Sequence, residues 1–295
     1  MRHKIIYRHW QPGDDDAILE LLLPAEQVVE NIYRNKFEGS HYEPEEIRLA
    51  LVNERVVGHV WGTPCSFFIE DKCQRFVIVG AVFIAQDMRR QGIAARLMQD
   101  LHAHFQRKGY RGSILDADEV AAIRLYQKVG YQILTQEFRT QLAPNPNASH
   151  LEWAETNLKD LSAFPQLHER WTRHNFPVSC DQASIKVQQY NMGGYRVLRR
   201  GQNIIGYARW DEPSEHYPHG LICDPIVSHI DPMEVITSVQ AAISAPRAWQ
   251  TCEGSRYENP LRSLGCTLKP TGSVDMLLSF GTEINWSELA RTLSR

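Results

Sequence analysis

The 295-residue sequence has no long apolar run and only a small excess of charge. No stretch reaches the roughly 18 apolar residues that a membrane-spanning helix needs. Only Ile5-Ile6-Tyr7 follows the basic N-terminal residues, so we expect no signal peptide. A formal net charge of −3 argues against a surface for nucleic acid or anionic lipid. We therefore expect a cytoplasmic protein with no nucleic-acid and no membrane partner.

Metal-binding spacings are absent as well. The six cysteines include no C-x-x-C pair, and the twelve histidines include no H-x-x-x-H pair. His102 and His104 are two positions apart, so a helix would place them on different faces. We expect ordinary buried or surface thiols and no metal site.

Two common phosphate-binding motifs are missing, and a third pattern takes their place. The P-loop string G-x-x-x-x-G-K-[ST] does not occur. Gly92 has no glycine two positions away, which excludes the dinucleotide loop G-x-G-x-x-G. What is present is R-R-Q-G-I-A at 89–94, between an apolar run at 77–84 and an amphipathic segment at 95–108.

The order of strand, glycine loop and helix start builds an anion site largely from backbone groups. The free N–H groups of a first helical turn point outwards, and the helix dipole adds partial positive charge there. Gly92 lacks a Cβ, so the backbone can approach a phosphate closely. Arg89 and Arg90 can add charge-assisted hydrogen bonds. The alternative is an ordinary helix start with a glycine turn.

Two signatures give this pattern a family context. Arg89, Gly92 and Ala94 match Q/R-x-x-G-x-G/A, which resembles the acetyl-CoA pyrophosphate loop of the GCN5-related N-acetyltransferase (GNAT) superfamily. Residues 118–131 read D-E-V-A-A-I-R-L-Y-Q-K-V-G-Y and resemble that family's second signature, N-x-x-A-x-x-L-Y-x-x-x-G-F. Aspartate stands in the asparagine position and tyrosine in the phenylalanine position. The resemblance covers residues 4–142.

The resemblance implies a fold, a reaction and a site. The fold would be α/β (α+β), with a mixed central sheet flanked by helices. The reaction would be N-acetyl transfer from acetyl-CoA, as co-substrate, to a primary amine in a ternary complex. Tyr126 would act as general acid, and a strand N–H near Ile84 would stabilise the thioester oxygen. The implied cofactor-binding residues are Val82, Phe83, Ile84, Arg89, Arg90, Gln91, Gly92, Ile93, Ala94, Ala95 and Asp118.

Periodicity and turn residues predict the elements of the first half. We expect the run at 77–84 to be a strand buried on both faces. Asp14 or Asp15 can cap the first helix, and Gly109 can end the helix at 95–108. The predicted strands are 5–10, 47–52, 56–61, 65–69, 77–84, 112–117, 131–134 and 137–142, and the predicted helices are 16–23, 95–108 and 121–129.

The second half reads as a degenerate copy of the first. The sequence at 197–209 parallels 49–61, and a weaker match aligns 259–266 with 123–131. Where the glycine loop should be, I-D-P-M-E at 230–234 has no glycine, one fewer N–H and two carboxylates, which oppose anion binding. We expect a catalytic GNAT domain at 1–142, a linker at 143–150 and a GNAT-like domain without cofactor at 151–295. An unrelated α+β domain is the alternative.

Several points stay open at this level. Asp116 and Asp118 are candidates for the general base, and either can instead cap a helix. Tyr126 can also be a packed helix aromatic. A non-catalytic acyl-CoA-binding or regulatory protein of the same fold is the alternative function. Polyamines, aminoglycosides, amino acids and protein amines are all possible acceptors, and the oligomeric state is not readable. Four residues are candidates to line the acceptor pocket, with a solvated surface position as the alternative for each: Glu26, Glu30, Glu38 and His41.

Overall fold

The computed structural model describes residues 4–23, 43–69, 72–157, 159–164, 166–167, 195–214 and 218–281. The chain divides into two compact units. Unit 1 comprises the described residues of Met1–Cys65, Gln74–Gln132 and Met276–Glu283, and unit 2 those of Ser66–Cys73, Ile133–Asp275 and Ile284–Arg295. None of the helices in the described part of the chain has the length and hydropathy that a bilayer crossing needs.

Unit 1 contains a sheet with helices on it, as an α/β fold requires. Its elements, in chain order, are β1 Ile6–His9, α1 Asp15–Leu22, β2 Ile47–Val52, β3 Arg55–Ile69, β4 Lys72–Ile84, α2 Ile93–Arg107, β5 Gly112–Ala117 and α3 Val120–Val129. The end of β3 and the start of β4, which fall within Ser66–Cys73, belong to unit 2. Short 3₁₀ turns lie at Pro44–Glu46 and Gln86–Met88.

The sheet of unit 1 runs β1-β2-β3-β4-β5 and ends with the residues from Met276 to Ser279 of the last strand that the structure describes. Strand β2 pairs antiparallel with β1 and with β3, and β4 is parallel to β5. Next to β5, a Cβ on Gly112 would lie 2.5 Å from the carbonyl oxygen of Leu278. The amide of Phe280 donates to the carbonyl of Arg111 at 2.9 Å. The residues from Met276 onwards therefore supply a strand to the sheet of unit 1.

Helix α1 covers one face of this sheet. Its buried residues Ile18, Leu19 and Leu22 form a cluster with Ile47 and Leu49 of β2. The predicted side-chain cap is absent, because Asp14 occupies the N-cap position without capping the helix. Its carboxylate instead accepts two hydrogen bonds from Arg8, at 2.6 and 2.7 Å, and one from the amide of Gln11.

Unit 2 contains the remaining strands. Its elements are β6 Gln132–Leu142, β7 Glu152–Glu155, β8 Tyr195–Arg200, β9 Asn203–Asp211, β10 Leu221–Ser228, α4 Pro232–Ala242, β11 Arg247–Cys252, α5 Glu258–Ser263 and β12 Lys269–Ser279. The strands lie in the sheet in the order β12-β6-β11-β10-β9-β8-β7. The last residues of β12, from Met276, belong to unit 1.

One strand differs from its prediction in length and in partner. The segments 131–134 and 137–142, expected as two terminal strands of the first half, form the single strand β6. This strand pairs antiparallel with β11 from Glu137↔Cys252 to Leu142↔Arg247. The chain therefore passes into unit 2 at Ile133, whereas the sequence placed the boundary after 142. Alternation along a strand does not reveal its partner, which is why the sequence could not predict this pairing.

The two hairpins that matched in sequence also match in geometry. The β2–β3 hairpin shifts register between Ala50 and Leu51, with Gly58 opposite Ala50. The β8–β9 hairpin shifts between Leu198 and Arg199, with Gly206 opposite Leu198. Both irregularities fall at the same place in the alignment of 49–61 with 197–209. In each hairpin the loop is two residues long, one shorter than we predicted for the first.

Candidate acyl-CoA site

A pocket of about 860 Å³ opens in unit 1 where β4 and β5 separate. The two strands pair in parallel only from Phe76↔Gly112 to Ile78↔Ile114 in the described residues. Beyond these pairs, the end of β4 forms one wall and the end of β5 the other. The remaining walls come from the loop at 88–92 and the first turns of α2 and α3. The separation leaves backbone groups of both strands available to a ligand.

The sequence-predicted residues gather at this pocket with one exception. The pocket is lined by Val82, Phe83, Ile84, Arg89, Arg90, Gly92, Ile93, Ala94, Ala95, Asp118 and Tyr126. Gln91 is not among the lining residues; its amide nitrogen lies 3.8 Å from the sulfur of Met88. The binding and catalytic roles of these residues stay predictions.

The loop before α2 has the conformation of an anion cradle. Arg90 and Gly92 have φ values of +63° and +79°, and Gly92 is the N-cap of α2. A Cβ on Gly92 would meet nothing within 4 Å, so glycine is needed here for its backbone angle and not for packing. The first helical hydrogen bond runs from the amide of Arg96 to the carbonyl of Gly92. The amides between them belong to the free first turn, and no side chain caps it.

Arg89 connects this loop to the end of β4. Its Nε donates to the carbonyl oxygen of Ile84 at 3.2 Å. The guanidinium stays exposed, as does that of Arg90. Two cationic side chains and a helix N-terminus therefore meet at one end of the pocket, which favours an anionic ligand group there.

Tyr126 lies on α3 and is 8% exposed. Its hydroxyl makes no hydrogen bond to any residue that the structure describes. Burial is the main cause that raises the pKa of Tyr126 to about 12, and the charges of Asp116, Glu119 and Asp118 add to it. At neutral pH the phenol is protonated and has a hydrogen bond to donate.

Carboxylates line the pocket at the end of β5. Asp116, Asp118 and Glu119 are all exposed, and none forms an ion pair with another described residue. The expectation that Asp118 caps α3 is wrong: Glu119 is the N-cap residue, and its side chain makes no cap hydrogen bond. Both aspartates therefore remain available to a substrate.

The strand before the loop is less buried than the sequence predicted. Ile78 is 37% exposed, and Gly80, Ala81 and the residues after them are half-buried because they line or adjoin the pocket. An apolar run predicts burial against protein, whereas this one borders a ligand-sized cavity.

Sequence reasoning also missed a kink in β4. Ala81 has a φ of +48°, rare for a residue with a Cβ, and its carbonyl accepts a 2.8 Å hydrogen bond from Nδ1 of buried His59. At Gly80 a Cβ would lie 2.6 Å from Nε1 of Trp61, another lining residue. The glycine inside an apolar run was the available signal for an irregular strand.

The tyrosine in the signature's phenylalanine position has its own polar partners. The hydroxyl of Tyr131 lies 2.5 Å from Oγ of Ser113 and 2.9 Å from Nε2 of His102. Burial lowers the pKa of His102 to about 4 and raises the pKa of Tyr131. The cluster is therefore neutral at pH 7 and fixes the end of α3 against β5 and α2.

Two other predictions can be compared with the structure. The expected acceptor-pocket residues Glu26, Glu30, Glu38 and His41 lie outside the described residues. Within the described ranges, no three His, Cys, Asp or Glu side chains are placed to share a metal ion.

The start of α4 in unit 2 contrasts with the start of α2. Asp231 accepts hydrogen bonds from the amides of Met233, at 2.8 Å, and Glu234, at 3.4 Å. The guanidinium of Arg256 donates to the carbonyls of Ser228 and Ile230, at 3.0 and 2.6 Å. The polar groups at this helix N-terminus and beside the end of β10 are thus used within the protein.

Comparison with known proteins agrees with this geometry. The model of the acetyltransferase (GNAT) family matches residues 16–131. The match spans less than half of the chain. No curated protein matches the sequence of the chain.

Solved GNAT structures share the fold at low sequence identity. A GCN5-related N-acetyltransferase from Anabaena variabilis is 16% identical, with a TM-score of 0.69, over 93% of this chain and 72% of that one. One from Kribbella flavida is 14% identical, with a TM-score of 0.67, over 93% and 71%. One from Sphaerobacter thermophilus is 14% identical, with a TM-score of 0.53, over 95% and 97%. The mixed sheet with its helices is thus the acyl-CoA N-acyltransferase fold.

Proposed function

We propose that this chain is an N-acetyltransferase that moves an acetyl group from acetyl-CoA to a primary amine by direct attack in a ternary complex. The observation that carries the proposal is that one pocket holds the R-x-x-G-x-A loop, the open end of β4 and the hydroxyl of Tyr126. The family match over residues 16–131 and the fold support acyltransferase activity.

The cofactor end of the pocket suits a pyrophosphate and a pantetheine arm. The free first-turn amides of α2 would hold the pyrophosphate, with Arg89 and Arg90 neutralising its charge. The backbone of β4 at Phe83 and Ile84 would pair with the amides of the arm. The volume of about 860 Å³ lies in the usual range for pockets that bind small molecules.

The acetyl transfer needs protein groups at three atoms: the amine nitrogen, the thioester oxygen and the leaving sulfur. In the reaction, the amine nitrogen bonds to the thioester carbon, the carbon–sulfur bond breaks, and a proton must pass from the amine to the leaving sulfur. The backbone N–H at Ile84 would stabilise the charge that develops on the thioester oxygen. Asp116 or Asp118 would take the proton from the amine, since both line the pocket without a partner.

Tyr126 would serve the leaving sulfur. Its pKa of about 12 exceeds that of a thiol, about 8.5, so full proton transfer is uphill while the three carboxylates stay uncompensated. An ammonium group near Asp116 and Asp118 offsets their charge and lowers the cost of that transfer. A cationic acceptor would therefore assist the acid, and it becomes the nucleophile once Asp116 or Asp118 has taken its proton.

The second half is proposed to be a degenerate copy that binds no cofactor. The shared register shift of the two hairpins supports the copy. Asp231 and Arg256 support the loss of the site, because they take the hydrogen-bonding groups that a pyrophosphate and a pantetheine arm would use.

One observation favours a second candidate, a non-catalytic acyl-CoA-binding or regulatory protein. Burial, together with the surrounding carboxylates, raises the pKa of Tyr126, which opposes its role as an acid. Such a protein would bind acetyl-CoA at the same loop without transferring its acetyl group.

Calorimetric titration of acetyl-CoA tests these proposals. Wild type should bind one equivalent, and the Arg89→Ala/Gly92→Glu variant should bind none. No binding by wild type would remove the acetyltransferase proposal, and two sites per chain would contradict the degenerate second half. An amine screen then separates an enzyme, whose turnover falls in Tyr126→Phe, from a binding protein with no turnover.

A further inference from the structure

Unit 1 contains a second cavity, of about 370 Å³, that shares no lining residue with the acyl-CoA pocket. It lies between β1, β2 and the C-terminal half of α2. Arg48 of β2 and His104 of α2 form its most buried polar surface; each is 9% exposed. Polar side chains so deeply buried normally have hydrogen-bond partners.

Arg48 occupies a strand position where the pattern calls for an apolar residue. All six residues of β2 are buried. Ile47 and Leu49 pack in the cluster with α1, so alternation turns Arg48 to the opposite face, towards α2. The guanidinium has no hydrogen bond and no ion pair with any other residue that the structure describes. A buried charge without a partner destabilises a protein, so its presence indicates a group that is bound from outside.

The face of α2 that lines the cavity also carries polar residues where apolar residues are expected. Leu97, Asp100, His104 and Arg107 follow one another at spacings of three or four, which puts them on one face of the helix. Only the first is the apolar residue that a packed helix face requires. Nε2 of His104 is buried and has no hydrogen-bond partner in the described part of the chain.

The charges around the cavity leave an excess of positive charge. Arg8 lines the cavity but is bound to Asp14, and Asp100 pairs with Arg96 at 3.3 Å. Among the described lining residues, this leaves Arg48 and Arg107 facing the carboxylate of Glu45, and none of the three forms an ion pair with another described residue. Burial and the charge of Arg48 lower the pKa of His104, so its ring is neutral and can donate one N–H.

We propose that this cavity binds a small anion, a carboxylate or phosphate group, between the guanidinium of Arg48 and the ring of His104, with Arg107 at the entrance. A planar guanidinium is well suited to both groups, because each offers two oxygens to its parallel N–H donors. The proposal does not depend on acetyl transfer, since no residue is shared with that site.

Thermal unfolding of the full chain tests the anion site. Wild type is melted in sodium chloride, sodium phosphate and sodium succinate at equal ionic strength. A saturating anion should raise the midpoint by roughly 3 °C or more over chloride. A rise in phosphate alone assigns a phosphate ligand, and a rise in succinate alone assigns a carboxylate. No rise in either salt would overturn the proposal.

Matched variants locate the effect. Arg48→Met should lose the rise and, in chloride, melt at or above wild type, because it removes an unpaired buried charge. Arg124→Met, which removes an exposed arginine of α3, should keep the rise. Gly92→Glu should also keep it, which excludes phosphate binding at the glycine loop. An unchanged rise in Arg48→Met would refute the site.

Should Arg48→Met not fold, two measurements replace it. His104→Asn should weaken the response to the anion. Calorimetric titration of inorganic phosphate or succinate into wild type should give one site per chain. Absence of heat for both anions would refute the proposal independently of any variant.

Discussion

Nδ1 of His59 donates a 2.8 Å hydrogen bond to the carbonyl oxygen of Ala81, the residue of β4 with a φ of +48°. The bond holds that carbonyl towards β3, next to the point where β4 becomes a wall of the pocket proposed to bind acyl-CoA. A left-handed backbone at a non-glycine residue is unfavourable by itself and persists when neighbours hold it. His59 is therefore expected to fix the shape of this wall.

Replacing His59 should expose that role. His59→Leu leaves the half-buried carbonyl without this donor and should reduce the free energy of unfolding by about 1–2 kcal/mol. His59→Asn, whose amide N–H can reach the same oxygen, should recover part of the loss. Urea unfolding checks stability, and kcat and KM are measured alongside. Equal losses of kcat in the two variants would show that the hydrogen bond does not position the wall.

Substitutions of Gly92 should separate the effect of the backbone angle on stability from the effect of charge on acetyl-CoA binding. Gly92→Asn should destabilise the chain by less than about 1 kcal/mol, because asparagine tolerates a positive φ, whereas Gly92→Val should cost more. Both should weaken acetyl-CoA binding less than Gly92→Glu, which adds a like charge. Thermal melting and calorimetric titration measure the two effects. Equal stability of the asparagine and valine variants would contradict the argument.

Tyr126→Phe should affect turnover and not folding. The hydroxyl has no partner among the described residues, so the midpoint of thermal unfolding should stay within about 1 °C. Acetyl-CoA affinity should change little, while kcat should fall by roughly 10²-fold or more. A variant that keeps wild-type kcat would remove Tyr126 from the mechanism. Tyr110→Phe, a tyrosine outside the pocket, is the control.

The buried cluster of Tyr131, Ser113 and His102 should show coupled stability. Tyr131→Phe leaves two buried groups without a partner and should cost about 1–3 kcal/mol. Ser113→Ala alone should cost less, since the hydroxyl of Tyr131 keeps its bond to His102. The double variant should lose less than the sum of the single variants, because contacting residues are not additive. A strictly additive double-mutant cycle would contradict the hydrogen bond between Tyr131 and Ser113.

His102 should make the chain sensitive to mild acid. Its pKa is lowered from 6.5 to about 4 by burial, so the unfolded chain binds a proton between these values and the folded chain does not. Stability should therefore fall as pH falls from about 6.5 to about 4, by up to roughly 3 kcal/mol. Urea unfolding at pH 7, 5.5 and 4.5 measures the slope, which His102→Asn should flatten. The pKa of His104 is also lowered, so His104→Asn is the comparison.

The sequence by itself determined the parts of this protein that depend on neighbours along the chain. The glycine loop, the helix that starts at it and the helix carrying Tyr126 could be read from 89–131, because turn chemistry and the 3.6-residue period act over short distances. The strands at 47–52 and 112–117 were predicted with correct bounds, because apolar patterning and turn residues also act over short distances.

Only the tertiary structure decided which distant segments meet. It pairs β6 with β11 and places the residues of β12 from Met276 in unit 1. Backbone hydrogen bonding alone would allow many other pairings of these strands. It also places Arg48 opposite His104 and bends β4 at Ala81. These features arise where packing overrides local preference, and a single strand or helix carries no information about what will lie across from it.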